Sequence, residues 1–190
     1  EMCIRDRCTI GCAKLKFLIR TVFAGLLAWG ILALLILFVA IPYQVKTPAM
    51  QPTLHPNDRL IVNKIATRFN DIKHADIVVY KNKNQYHIGR VIGKPGQSVV
   101  YHNGQLQLDN TPVAEPYLRH HYQASWSLRS LPHAESDIIP PNAYLILNDD
   151  RGQQNDSRKI GLINKSDIEG KVFMRYYPFD NITINLRQEV

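Results

Sequence analysis

The sequence predicts a mostly β domain that follows a single N-terminal transmembrane helix. Two observations carry this prediction. The run from Val22 to Ile41 contains no charged residue and no proline, and a helix of about 20 residues rises about 30 Å, enough to cross a bilayer's hydrocarbon core. Beyond this run, short β-prone segments alternate with turn residues, and the chain's 11 prolines and 10 glycines leave little room for long helices.

The apolar run is interpreted as an uncleaved membrane anchor. A buried core helix seldom runs this long without a polar residue. A cleaved signal peptide usually has an apolar region of about 7–15 residues followed by a small-x-small site. Here the run is longer, and the tetrapeptide that ends it, Ile41 to Gln44, makes a poor cleavage site. We therefore divide the chain into an N-terminal segment (1–20), a transmembrane anchor (21–41) and an outer domain (42–190).

The charges that flank the anchor predict its orientation. Five basic residues precede it, against two acidic ones, whereas only Lys46 lies close on the other side; the five are Arg5, Arg7, Lys14, Lys16 and Arg20. Positive flanks stay in the cytoplasm. The sequence therefore predicts a single-pass plasma-membrane protein whose N-terminus is cytoplasmic and whose outer domain is extracytoplasmic.

The cysteines agree with this orientation. All three, Cys3, Cys8 and Cys12, precede the anchor, so the outer domain has no disulfide bond. Their spacing lacks a fourth ligand and matches no common zinc pattern.

The net charge limits the partners. It is +7 for the whole chain, and a surplus of four basic residues remains in the outer domain. This modest bias suits anionic lipid headgroups or wall polymers. Nucleic acid is not expected as a partner, because the charges are scattered and the domain is predicted to lie outside the cell.

The outer domain is predicted strand by strand. Short β-prone runs occur at Arg59–Val62, Ile77–Tyr80, Gly89–Ile92 and Tyr144–Leu147, and further strands are expected at Lys171–Tyr177 and Thr183–Leu186. The dipeptide Asn103-Gly104 between two such runs predicts a tight hairpin, since it favours left-handed backbone.

The segment from Ala114 to Asp137 is polar and irregular and is expected to form a cap or excursion. It contains His120, His121 and His133. Solvated loop histidines are far commoner than metal ligands, so no metal site is predicted here.

Four short motifs follow one another in the outer domain. They are Thr47–Leu54 (TPAMQPTL), Ala75–Tyr80 (ADIVVY), Tyr86–Gly96 (YHIGRVIGKPG) and Asn148–Arg158 (NDDRGQQNDSR). Each motif alone is a weak signal. In this order, behind an anchor of this orientation, the chain resembles bacterial type I signal peptidases, and in particular catalytically degenerate members from Gram-positive bacteria. The resemblance implies a signal-peptidase-like β domain that uses no cofactor.

Three positions depart from the family pattern. The nucleophilic serine of the family is replaced by Ala49, the general-base lysine by Gly89, and the serine thought to position the lysine amine by Gln154. A serine–lysine dyad needs a hydroxyl to attack the carbonyl and a neutral amine, buried so that desolvation lowers its pKa, to accept the proton. Because the flanking residues are intact, we infer that the fold is retained and the chemistry lost.

The resemblance also implies supporting roles. It places Met50 and Pro52 around the site and Thr47 near the former oxyanion hole. Support behind the site is carried over to Arg90, Asp149, Asp156, Ser157 and Arg158. For Arg90, Asp156 and Arg158, a plain structural ion network is the favoured alternative, since such networks often outlive activity.

Thr47 and His87 form a conceivable substitute dyad. His87 lies two residues before Gly89, and Thr47 lies two before Ala49, so each shares a face with the lost residue. Two residues along a strand is about 6.6 Å, a large displacement when a hydrogen bond spans about 3 Å. Arg90 cannot act as a base, because its guanidinium stays protonated.

Three functions remain open at this point. The leading hypothesis is a non-catalytic, membrane-tethered binding or assembly factor that holds a secreted precursor, a signal peptide or an active peptidase paralogue by strand addition. The resemblance to degenerate members tied to pilus assembly adds a surface polymer subunit to these clients. The second hypothesis is an active serine endopeptidase that cuts small-x-small sites with unorthodox residues. The third is a structural anchor whose cleft is irrelevant.

Overall fold

The computed structural model describes residues 5–69, 71–119, 122–184 and 186–187. The chain divides into two compact units, residues 1–39 and 40–190, which are described separately.

The first unit is one long helix, α1 (Arg5–Val39). Its stretch Lys16–Ala33 has a mean hydropathy of 1.6, and in the described part of the chain this helix is the one that is long and apolar enough to cross a membrane. The helix ends at Val39 and the first strand begins at Ala40, so Ala40 and Ile41 of the predicted anchor lie in a strand. The helix is compatible with a single-pass membrane anchor.

The second unit consists mostly of antiparallel strands. They are β1 (Ala40–Gln44), β2 (Arg59–Asn63), β3 (Ile77–Asn82), β4 (Gln85–Gly93), β5 (Val99–His102), β6 (Gln105–Leu108), β7 (Thr111–Val113), β8 (Trp126–Ser127), β9 (Ala143–Leu147), β10 (Ile163–Asn164), β11 (Ile168–Tyr177) and β12 (Thr183–Ile184). Two short helices complete it, α2 (Ile65–Arg68) and α3 (Ser157–Ile160). The mostly β fold predicted from the sequence is confirmed.

Among the described residues, the strands form two sheets. The larger has the order β1-β2-β11-β3-β4-β9-β10, with β12 paired to Met174 and Arg175 of β11. The smaller has the order β7-β6-β5-β8. The predicted hairpin joins β5 to β6, and its turn residues Asn103 and Gly104 have φ of 47° and 81°. Neither β4 nor β9 is an edge strand, and this central position matters for the site.

The predicted excursion is largely irregular, as its composition indicates. Its described residues contribute only the two-residue β8 and a short 3₁₀ turn, Leu128–Ser130. His133 lies in a turn with φ of 61°, while His120 and His121 lie outside the described residues.

Three apolar clusters fill the second unit. One lies between the smaller sheet and the ends of β4 and β9. A second packs Met50 and Leu54 against β2, β3 and β11. The third contains Tyr80 and Ile146 and lies on the other face of β3 and β4. The candidate site lies beside β4 and β9, next to the second and third of these clusters.

Candidate functional site

The segment that carries Ala49 is a single 3₁₀ turn, Pro48–Met50. Proline at its first position supplies a preset φ and lacks an N–H that would be unpaired there. Ala49 is 7% exposed and Met50 is fully buried. The backbone carbonyl of Ala49 accepts a hydrogen bond from the N–H of Asp150 at 2.9 Å. The turn is therefore tied directly to the loop that follows β9.

Residues on either side of the turn differ in exposure. Thr47 is exposed, and its side chain makes no capping hydrogen bond. Pro52 is also exposed, whereas Leu54 is buried and its N–H donates to the carbonyl of Met50 at 2.8 Å. The turn thus presents Thr47 and Pro52 to solvent while Met50 and Leu54 anchor it in the core.

Gly89 lies in the middle of β4, buried between β3 and β9. A Cβ placed on Gly89 would lie 2.6 Å from Cγ2 of Ile146, 3.3 Å from the carbonyl oxygen of Leu147 and 3.6 Å from Cε1 of Tyr80. The first distance is far inside the usual carbon–carbon contact of about 3.5–4.0 Å. No room is left at this position for any side chain.

Arg90, the next residue, carries a fully buried charge. Its Nε donates to Oδ1 of Asp149 at 2.8 Å and its Nη2 to Oδ2 at 2.6 Å, a bidentate pair. Its Nη1 donates to the carbonyl of Ala75 at 2.9 Å. Oγ1 of Thr53 donates to Oδ2 of Asp149 at 2.6 Å and accepts from Arg90 Nη2 at 3.2 Å. The pair therefore clamps the turn that carries Ala49 to β4 and β9.

The Asp156–Arg158 segment forms a second polar support. Asp156 caps α3 by accepting from the N–H of Arg158 at 3.0 Å, and it accepts from the N–H of Asn148 at the same distance. The Arg158 guanidinium reaches Oδ2 of Asp156 at 2.7 Å. Oγ of Ser157 accepts from the N–H of Ile146 at 3.0 Å. These contacts fix the position of β9 beside β4, the strand that carries Gly89.

Arg158 also orders the loop in which the family's second serine would lie. It donates to the carbonyl of Arg151 at 2.8 Å and to that of Gln153 at 2.9 Å. Gln154 follows in this loop and is exposed. The position that the sequence analysis equates with the family's second serine therefore carries a solvent-exposed amide side chain.

His87 and Tyr80 stack on each other, with ring centroids 5.6 Å apart and an interplanar angle of 23°. Partial burial lowers the pKa of His87 below its ordinary value. The Tyr80 hydroxyl is buried and has no hydrogen-bond partner in the described part of the chain, and burial raises its pKa. Among the described residues, no hydrogen bond joins His87 to Thr47, so these two side chains do not form a substitute dyad in this structure.

Sequence reasoning missed the partners of Arg151. Its guanidinium forms a buried ion pair with Glu115, which also accepts from the hydroxyls of Tyr101 at 2.6 Å and Tyr117 at 3.0 Å. The Tyr117 ring in turn lies 4.1 Å from Cζ of Arg90. Glu115 and Tyr117 come from the irregular excursion, which carries no periodic pattern, so no signal in the sequence pointed to them.

A cleft of about 340 Å³ adjoins the turn that carries Ala49. It is lined by Gln51, by Arg119 and Tyr122 of the excursion, and by residues 149–152. Arg119 and Tyr122 also line a neighbouring groove beside the smaller sheet. The cleft is thus bordered by the turn, the clamp and the excursion, while Ala49 and Gly89 themselves are not among its lining residues.

Comparison with known proteins places these features in context. The family model described as signal peptidase, peptidase S26, matches residues 18–177. An inactive signal peptidase IA of Staphylococcus aureus (strain MRSA252) is 39% identical over 173 residues, covering 91% of this chain and 99% of its own. A signal peptidase IB of the same strain is 34% identical over 185 residues, covering 92% and 97%. A crystal structure of a signal peptidase I from Enterococcus faecalis V583 has a TM-score of 0.49 at 26% identity, covering 52% of this chain and 94% of that one.

Proposed function

Because the chain belongs to the peptidase S26 family of signal peptidases, we propose that it is a non-catalytic member that binds the signal peptide of a secreted precursor. The observation that carries this proposal is the contrast at the site. The Arg90–Asp149 clamp and the Asp156–Arg158 support are complete, whereas position 49 holds a methyl group and position 89 is filled by neighbouring side chains.

The chemistry gives the first argument. Peptide hydrolysis by this family's dyad needs a hydroxyl and a neutral amine, and neither Ala49 nor Gly89 supplies one. Members of such a dyad act as a unit, so losing both removes the covalent route and not merely part of the rate. A relative that aligns along almost its whole length is named an inactive signal peptidase, which supports the same conclusion for this chain.

The preserved support gives the second argument. A buried bidentate ion pair stabilises only weakly in net terms but becomes strongly destabilising when one partner is lost. Its retention keeps the turn around Ala49 fixed beside the 340 Å³ cleft. An extended peptide bound along strand edges needs backbone groups and side-chain pockets, but no nucleophile.

The location follows from the anchor. We propose that the N-terminus is cytoplasmic and that residues 42–190 lie outside the plasma membrane, since the basic residues cluster before the anchor. A precursor leaving the membrane would then meet the domain at the surface where signal peptides emerge. One staphylococcal strain holds both an inactive relative and a signal peptidase IB, so an active paralogue is a second partner worth testing.

The test is a binding and cleavage assay on the full chain in detergent. A fluorescent signal-peptide analogue with a small-x-small motif is titrated by anisotropy, and its mass is followed in parallel. We expect saturable binding with the peptide intact, and weaker binding by an Ala49→Leu variant than by Thr111→Leu, which alters an exposed strand of the smaller sheet.

Two outcomes would overturn the proposal. Cleavage by the native chain would establish an active peptidase and direct the next substitutions to Thr47 and His87. A folded chain that binds the analogue no better than a scrambled peptide would leave only the role of a structural anchor.

A further inference from the structure

Ile146 on β9 occupies the place into which a side chain at position 89 would project. We propose that this residue is a further determinant of inactivity, so that restoring the serine and lysine alone does not restore hydrolysis. The inference rests on the proposed function only in equating position 89 with the family's lysine.

The obstruction is a single methyl group. A Cβ on Gly89 would lie 2.6 Å from Cγ2 of Ile146, and its next nearest neighbour is the carbonyl oxygen of Leu147 at 3.3 Å. Both atoms belong to β9. The close approach of β4 and β9 therefore requires glycine at position 89. The obstruction comes from these two atoms of β9.

β9 cannot easily move away from β4. Its register is fixed by pairing of Val91 with Ile146 on one side and of Tyr144 with Ile163 on the other. The N–H of Ile146 donates to buried Ser157. Ile146 itself is fully buried in the apolar cluster that contains Tyr80 and Ile163. A close-packed interior of this kind transmits a clash into strain instead of absorbing it.

The third neighbour of position 89 is no obstacle to an added Cβ. Cε1 of Tyr80 would lie 3.6 Å from the added Cβ, an ordinary contact. The Tyr80 hydroxyl on the same ring is buried without a partner among the described residues, so it can hydrogen-bond an introduced amine. The geometry thus requires a change at Ile146 and none at Tyr80.

The serine and lysine of a restored site would hydrolyse a peptide bond in two balanced steps. The hydroxyl oxygen introduced at position 49 bonds to the peptide carbonyl carbon while its proton passes to the amine introduced at position 89. That proton leaves with the departing amine nitrogen as the peptide bond breaks, and water then hydrolyses the ester. The second step returns the hydroxyl, so no further reactant is needed.

The activity test compares three full-length variants in detergent with a signal-peptide-bearing precursor. They are Ala49→Ser with Gly89→Lys, the same pair with Ile146→Ala, and the same pair with Ile163→Ala as the matched control. Ile163 lies in the same apolar cluster and is 4% exposed, but it is not among the atoms nearest position 89. We expect the Ile146→Ala triple variant to cut at least ten times faster than the other two. Equal rates for the double and the triple variant would overturn the inference.

A stability measurement tests the steric claim without any peptide. Gly89→Ala is expected to lower the midpoint of urea unfolding in the native background and to lower it much less in the Ile146→Ala background. An equal shift in both backgrounds would show that Ile146 is not the obstacle. Because this readout involves no ligand, its outcome is independent of whether the native chain binds signal peptides.

Discussion

At the scale of single residues, Arg90 has the largest expected effect. Its guanidinium and the Asp149 carboxylate are both fully buried. Arg90→Met removes one member of the pair and leaves Asp149 without its counter-charge, a change that typically costs about 3–5 kcal/mol. We expect a loss of this size in the free energy of unfolding, measured by urea titration of the chain in detergent with circular dichroism.

A matched exposed pair gives the control. Arg129 and Asp137 lie 2.8 Å apart, but their side chains are 67% and 57% exposed. Arg129→Met should change the free energy of unfolding by no more than about 1 kcal/mol. Equal losses for the two variants would mean that the buried clamp contributes nothing beyond a surface pair.

His87 predicts how stability depends on pH. Burial of the ring lowers its pKa in the folded state, so the unfolded chain binds a proton more readily than the folded chain. This contribution to stability is fully present above about pH 6.5 and is lost as the pH falls through the folded-state pKa. Between pH 7 and pH 5, the free energy of unfolding should therefore fall more steeply for the native chain than for His87→Gln. Parallel slopes in the two proteins would contradict this account.

At the scale of elements, local signals found the strands but not their partners. The Asn103-Gly104 turn requires left-handed backbone, so its hairpin could be read directly from the sequence. The pairing of β11 with both β2 and β3 could not, because it joins residues at least 88 positions apart, as in the pair Ile168 and Tyr80, and depends on which apolar faces meet. The same limit hid Ile146: nothing local marks a strand residue as the one that fills the space beside Gly89.

The C-terminal return, the segment that contains β12 and Leu186, lies beyond the residues that the family model matches. The family model ends at residue 177, yet Leu186 is 6% exposed and packs in the cluster with Met50 and Leu54. Leu186→Ala should lower the free energy of unfolding by about 2–5 kcal/mol, as for other buried leucines. Ile184→Ala is the control, because that side chain is 62% exposed and should cost less than about 0.5 kcal/mol. A small loss for both would mean that the return is not part of the core that supports the site.

At the scale of the whole molecule, the two units carry different physical tasks. The apolar helix is stable only where hydrocarbon replaces water around it, whereas residues 40–190 bury their own core and their own charges. A domain of this kind needs no nucleophile to act at a membrane surface. For the binding role proposed above, it needs to be held on the side of the membrane where the precursor emerges, and the orientation of the helix would decide that.

The orientation can be tested with the chain's own cysteines. Cys3, Cys8 and Cys12 all precede the anchor, and the outer domain has none. With five basic residues on that flank, the positive-inside rule places these thiols in the cytoplasm. In intact bacterial cells that express the chain, a membrane-impermeant maleimide should leave the native protein unlabelled until the cells are lysed.

Gln105→Cys adds a thiol on an exposed strand of the smaller sheet, and this variant should be labelled in intact cells. Labelling of the native thiols before lysis, with the added thiol protected, would place the domain in the cytoplasm. A signal-peptide-binding role outside the membrane would then be excluded.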